Sequence, residues 1–376
     1  MLNSCHNIFD LRDKARRRLP GAIFDVMDGA AESELTARRN IDAFDDLSLV
    51  PRCLADVSHV NTSTRVLGQN VQWPVYCSPT GLSRLFHPEG ELAVARAAAA
   101  AGTLYCLSSA SAYDIETVAS ASGGPKLFQL FVYKDRDFML SLIERAKRSG
   151  YAALCVTISM VGKCERELRA RLFGPWPKWP LRNFIDFVRH PRWSFEQMGI
   201  GTYSLANFEE KYGKPARLAL LGEQFDYSAT WKDIRDIADA WGGPLALKGV
   251  TSVEGARRAA DAGVTAVIVS NHGGRQLDGA IATIEALPPI VSAVGDHLEV
   301  ILDGGVRRGV HVLKALACGA KACSIGRPYL YGLSAGGEAG VAKALDILRS
   351  ELVGAMRLAG CPDLGSINSS LIRKRL

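Results

Sequence analysis

The sequence predicts an α/β protein, a (β/α)8 TIM barrel with an N-terminal helical cap and a long insertion after the fourth strand. Three observations predict it. From Trp73 onward, short apolar runs without polar alternation recur, as strands buried on both faces of a parallel sheet require. Amphipathic helical stretches separate most of them, the pattern of stacked βα units. The runs number eight, enough to close a barrel, whereas a doubly wound sheet usually has fewer and needs a reversal of strand order.

Taken in order, residues 7–46 place apolar and charged positions at helical spacing, with Pro20 opening a second helix and Gly29 ending it, and form the cap. Strands are expected at Val75–Ser78, Thr103–Leu107, Leu127–Phe131, Ala153–Ile158, Leu245–Lys248, Ala266–Ser270, Val300–Leu302 and Ala322–Ile325. Helices are expected at Gly90–Ala101, Asp135–Ser149, Ser252–Ala262 and Arg308–Ala317, with Gly337–Leu358 closing the chain. Residues 160–229 carry no clear βα pattern, and a loop that long inside a compact domain is usually functional or disordered. Within it, Lys163 to Ile200 has eight Lys/Arg against four Asp/Glu, interleaved with Trp176, Trp179, Phe184, Phe187 and Trp193. Two readings stand: a lid packing its own aromatics, or a surface for a membrane or a protein partner. Residues 1–376 are expected to form one domain that carries 160–229 as insertion or lid.

The composition narrows the function. A hydrophobic fraction of 48% supports a sizeable core, and no run reaches the roughly 18 apolar residues that span a bilayer. Met1 to Pro20 is charged throughout and lacks a secretory signal pattern, so a cytoplasmic location is expected. Nine cysteines, an odd number without a CxxC pair, argue against a disulfide framework and a structural zinc, and no metal site is expected. Cys77, Cys106, Cys155 and Cys323 fall in expected strands, as small buried apolar groups. The net charge of +6 is modest and dispersed, which disfavours nucleic acid and suits an anionic ligand.

In a closed barrel the chemistry lies at the C-terminal ends of the strands. Strand one ends in Ser78-Pro79-Thr80-Gly81, strand two in Ser108-Ser109-Ala110, strand three in Gln129-Leu130-Phe131 and strand four in Thr157-Ile158-Ser159. Strand five contributes Lys248, and strand six opens into Ser270-Asn271-His272-Gly273-Gly274-Arg275, which places a base and a carboxylate binder in one loop. Strand seven is followed by Asp303-Gly304-Gly305-Val306-Arg307 and strand eight by Gly326-Arg327-Pro328. Two successive glycine-rich loops with arginines fit a phosphate, and the lack of a dinucleotide fingerprint points to a mononucleotide.

The segment Val269 to Asp278, with Leu127 to Arg136, Asp303 to Arg308 and Gly326 to Pro328, resembles the FMN-dependent 2-hydroxy-acid dehydrogenases and oxidases over nearly the whole chain. The resemblance implies FMN as cofactor and an oxidoreductase acting on a small-molecule or peptide-derived substrate. It places Pro79, Thr80 and Gly81 along one flavin face, and Ser108, Gln129 and Thr157 at the polar edge of the ring. Lys248 would face the N1 and C2 carbonyl edge, with Ser270 close by and Asp303 on the ribityl chain. Gly305, Arg307, Gly326 and Arg327 would hold the phosphate. His272 would be the base and Arg275 the binder of the substrate carboxylate, while Arg166 matches a further family arginine. A homotetramer is implied, and His190-Pro191-Arg192-Trp193 is similar to a segment of membrane-associated members, which implies peripheral contact with the inner membrane face through 163–200.

The chain departs from that family at four pocket positions. Val26 and Phe131 stand where tyrosines are usual, Ser159 where an aspartate orients the base, and Ala110 where a tryptophan is usual. The grip on a small acid's carboxylate is weakened and the pocket enlarged, so an atypical, bulkier substrate is the first expectation. A conventional L-lactate or mandelate-type dehydrogenase is the second, and a flavin-binding partner protein without turnover the third.

Overall fold

The computed structural model describes residues 2–159, 162, 164–170, 180–200 and 203–374. Lys163, Trp176 and Trp179, named above, lie outside the described residues.

Eight parallel strands close into a barrel in chain order: β1 (Val75–Cys77), β2 (Tyr105–Ser108), β3 (Lys126–Phe131), β4 (Ala153–Thr157), β5 (Leu245–Val250), β6 (Ala266–Val269), β7 (Glu299–Asp303) and β8 (Ala322–Ile325), with β8 returning to β1. Every strand is buried nearly throughout, which is why the sequence shows apolar runs and no alternation. Two apolar clusters result. The barrel interior holds Tyr76, Leu104, Cys106, Cys155, Ile268 and Ile301, and the hairpin Thr64–Val66 and Gln69–Val71 adds Val66, Leu67 and Val71 to it. The opposite faces, Cys77 and Cys323 among them, pack beneath the surrounding helices. The four strand cysteines are thus buried spacers, two facing inward and two outward.

The cap is helical as expected. Ile8–Arg18 starts at Asn7, whose side chain accepts from the amides of Phe9 and Asp10, and it buries Ile8, Leu11 and Ala15. Gly21–Asp28 follows Pro20 and ends at Gly29. Leu35–Asp42 is fastened over the loop after β6: Asp278 accepts from the amides of Leu35 and Thr36 at 3.2 and 2.8 Å, and the amide side chains of Asn40 and Asn271 bond each other. The cap therefore fixes the loop that bears His272.

Two expectations need extending. The closing helix expected from Gly337 is present and runs to Ala359, but it is preceded by another helix from Arg327, the two meeting at a kink at Gly336 and at Gly337, whose φ of +60° and ψ of −140° suit only glycine. The stretch before Gly337 was hidden because Pro328 and the glycines obscure its helical period, yet Pro328 sits in the first turn, where no amide hydrogen is needed. Between β4 and β5 the chain is also more regular than the sequence pattern indicates, with helices Glu165–Ala170, Leu181–Arg189, Pro191–Ile200, Ala219–Gln224 and Trp231–Trp241. Trp193 is buried and donates to the carbonyl of Leu85 at 2.9 Å, Phe187 stacks on it at 5.4 Å, and Arg18 pairs with Glu196. These contacts seat the insertion on the cap and on the loop after β1.

Candidate active site

The strand ends converge on one cavity of about 330 Å³. Pro79, Thr80, Gly81, Ser108, Ala110, Gln129, Phe131, Thr157, Lys248, His272, Arg275, Asp303, Gly305, Arg307, Gly326 and Arg327 line it, and Val26 enters from the cap. Ser270 and Ser159 sit just behind, each bonded to a lining residue. Arg166 is the exception: its guanidinium is engaged by Asp25, Asp28 and Glu34 of the cap, at 2.7 to 3.2 Å. It fastens the insertion rather than facing the cavity.

At the floor lies a polar hub that the sequence did not reveal. The Asp303 carboxylate accepts from Lys248 Nζ at 2.7 Å and from the hydroxyls of Ser270, Ser324 and Ser78 at 2.6, 2.7 and 3.1 Å. Burial alone would raise this carboxyl, but Lys248 and the hydroxyls hold it down at about 2. Removing one member of such a buried pair strands the other charge, at a cost of about 3–5 kcal/mol. Gly305 has a structural role, since a Cβ there, at φ +77°, would lie 1.9 Å from the Asn40 carbonyl oxygen of the cap.

His272 adopts φ +58°, a left-handed conformation that is costly for a side chain with a Cβ. Ser270 Oγ accepts from its amide at 3.0 Å, and Ser159 Oγ lies 3.1 Å from Nδ1. With Nδ1 engaged, Nε2 is the nitrogen left for a substrate proton. Burial, followed by the positive charges of Lys248 and Arg275, lowers its pKa from 6.5 to about 3, against the weaker pull of Asp303. A base must be neutral to accept a proton, so activity is lost only as pH falls through that lowered value. The acid limb of kcat/KM is therefore expected below pH 6.5. Ser159→Asp puts a carboxylate at Nδ1, favours the imidazolium and should move the limb to higher pH, and a pH profile in which the limb stays put would show that position 159 does not tune the base.

The cavity fits a flavin mononucleotide. Gln129 Nε2, Thr157 Oγ1 and Arg327 Nε are buried without a hydrogen-bond partner among the described residues, and all three belong to lining residues. Each such group costs about 1–3 kcal/mol until a ligand satisfies it. The first two suit the carbonyl and imide edge of an isoalloxazine. Arg327 is lowered to about 10, chiefly by burial and further by Arg307 and Arg275, so the field at this end of the cavity favours an anion such as a phosphate.

The sequence reading missed Glu167, whose Oε1 lies 2.5 Å from Arg275 Nη2. It also missed the apolar wall of Met27, Leu82, Leu218, Leu221 and Leu330. Glu167, Leu218 and Leu221 carry no sequence signal because they depend on which way the insertion folds back, whereas Met27 is on the cap and Leu82 and Leu330 lie just beyond strand ends.

Residues 15–374 match the family described as FMN-dependent dehydrogenase. The L-lactate dehydrogenase of Caulobacter vibrioides is 43% identical over 374 residues, covering 98% of this chain and 97% of the relative. The L-lactate oxidase of Nostoc sp. is 40% identical over 377 residues, 99% of each. Among solved structures, the monotopic membrane protein (S)-mandelate dehydrogenase superposes with a TM-score of 0.95 at 36% identity, over 99% of this chain and 100% of that one. A mandelate oxidase bound to 3,3-difluoro-2-hydroxy-3-phenylpropionic acid does so with a TM-score of 0.84 at 36% identity, over 99% of each.

Proposed function

We propose, for a chain that belongs to the family of FMN-dependent dehydrogenases, that it oxidises the carbinol of a 2-hydroxyacyl compound bulkier than lactate. The enzyme class and the cofactor follow from the family: a 2-hydroxy-acid oxidoreductase that uses FMN. Gln129, Thr157 and Lys248 would hold the ring, and Arg307 and Arg327 the phosphate. When bound, FMN supplies a two-electron acceptor. The chain itself positions the carbinol and takes its hydroxyl proton at His272 Nε2, with Nδ1 steadied by Ser159.

The observation that carries the bulkier substrate is the wall of Val26, Ala110 and Phe131 in the cavity of His272, which offers no hydroxyl and presents a methyl group where the family usually has an indole. A second cavity of about 470 Å³, lined by Phe225, Tyr227, Trp231 and Ile234, meets the first across Phe131 and Thr157 and supports the same reading. Anaerobic bleaching of the flavin by a panel from L-lactate and L-mandelate to larger 2-hydroxyacyl compounds tests it. Fastest reduction by the larger members is expected. Fastest reduction by lactate would favour the conventional L-lactate dehydrogenase.

A peripheral membrane contact belongs to the proposal as well. Leu181, Val188, Phe195 and Met198 are each more than 70% exposed on two adjoining helices, among Arg182, Arg189 and Arg192. Exposed apolar side chains on helices that also carry arginines suit an anionic bilayer surface, and a mandelate dehydrogenase of the same fold is a monotopic membrane protein. Among the described residues no helix is long and apolar enough to cross a membrane. The chain is expected to co-sediment with phosphatidylglycerol vesicles, and Leu181→Glu with Val188→Glu to cut that binding at least tenfold. Undiminished binding by the double variant would place the contact elsewhere.

A further inference from the structure

The carboxylate-binding end of this cavity already contains a carboxylate. Arg275 Nη2 lies 2.5 Å from Glu167 Oε1, and Nη1 donates to the carbonyls of Val26 and Gly29 at 3.1 and 2.9 Å. Both side chains of the pair are about four-fifths buried, at 21% and 20% exposure, and Glu167 itself lines the cavity. The other cations there are engaged too. Lys248 is 2.7 Å from Asp303, and the two terminal nitrogens of Arg327 donate to the carbonyls of Gly273 and Gly29. A substrate carboxylate arriving beside His272 would be a second anion on a guanidinium that Glu167 has neutralised, in a partly dehydrated site where like charges repel most strongly.

We propose that Glu167 takes the place of the substrate carboxylate at Arg275, so that the enzyme accepts a 2-hydroxyacyl compound whose carboxyl group is masked as a neutral amide, as at a peptide bond. The proposal rests on the assignment of carbinol oxidation to this site. The reaction is unchanged by it: the carbinol C–H hydrogen leaves with its bonding pair, as a hydride, for the cofactor, the O–H bond breaks, its proton passes to His272, and C=O forms. A guanidinium carries five N–H donors, of which three are taken up among the described residues. The neutral amide carbonyl can accept from the others without a charge penalty. The wall agrees with the ion pair, because Val26 and Phe131 also present no hydroxyl to a carboxylate. Three features of one pocket thus weaken its hold on a carboxylate.

The test uses the full chain loaded with FMN and a keto acid paired with its amide, benzoylformate and benzoylformamide, whose dissociation constants are read from the flavin absorbance. The amide is expected to bind at least tenfold tighter than the acid in the unsubstituted protein. Glu167→Gln should tighten the acid at least tenfold and leave the amide within about twofold. Tighter binding of the acid by the unsubstituted protein, or an unchanged acid-to-amide ratio in Glu167→Gln, overturns the proposal. Bleaching by mandelate and by mandelamide separates the two levels of argument. If mandelate bleaches the flavin and the acid is the tighter ligand, the proposal falls and carbinol oxidation stands. If neither compound bleaches it and neither ligand perturbs the absorbance, both fall.

Discussion

His272→Ala is expected to slow substrate-driven flavin reduction by about 10²- to 10⁴-fold while FMN stays bound, the range for loss of a positioned general base. Proton transfer from the carbinol needs an acceptor within reach, and the geometry leaves Nε2 for it, since Nδ1 is engaged by Ser159 and the backbone is held by Ser270 and by the cap through Asn40 and Asn271. Retention of the cofactor follows from position. The residues suited to the ring and phosphate, Gln129, Thr157, Lys248, Arg307 and Arg327, sit on other strands or just beyond their ends and do not depend on the imidazole. Replacing a residue at φ +58° with alanine keeps the same backbone cost, so the fold should survive. Stopped-flow reduction under anaerobic conditions, with mass analysis of the released flavin, checks both halves. Reduction at a near-normal rate would make another group the base, and loss of FMN would make the histidine structural.

How far this site can be read from sequence depends on how local its causes are. The barrel was legible because a parallel strand covered on both faces is apolar along most of its length, a signal contained within a few residues, as in Ala153–Thr157 or Ala266–Val269. The cavity was legible for the same reason, since a closed barrel brings all eight strand ends together. The pairing of distant charges was not. Arg275 meets Glu167 across 108 positions, and Arg166 meets Glu34 across 132. Whether a given arginine faces a ligand or a carboxylate of its own chain is decided by the path of the insertion, which has no period to read. The hub at Asp303 was hidden likewise: Ser78, Ser270 and Ser324 look like ordinary strand-end residues until the barrel closes around one carboxylate.

Phe131→Tyr and Val26→Tyr are expected to raise kcat/KM for L-lactate by about ten- to a hundredfold each, since one charge-assisted hydrogen bond contributes roughly 1.5–3 kcal/mol to transition-state binding. Both positions line the cavity that holds His272 and Arg275. Arg275 alone cannot supply the grip, because Glu167 and two cap carbonyls already engage it. Each added hydroxyl would therefore offer an oxygen of a small acid a donor that does not compete with Glu167. The buried ring of Phe131 lies 4.8 Å from Phe225 and lines both cavities, so a hydroxyl there should also crowd the space open to a larger substrate. Large substrates should then lose while lactate gains, and the crossed pattern distinguishes a change of specificity from a general improvement. Steady-state kinetics on L-lactate and on one bulky 2-hydroxyacyl compound, for the parent and both variants, decides the matter. An efficient parent on lactate, or tyrosine variants that leave lactate unchanged, would mean that the wall of Val26 and Phe131 does not set the choice of substrate.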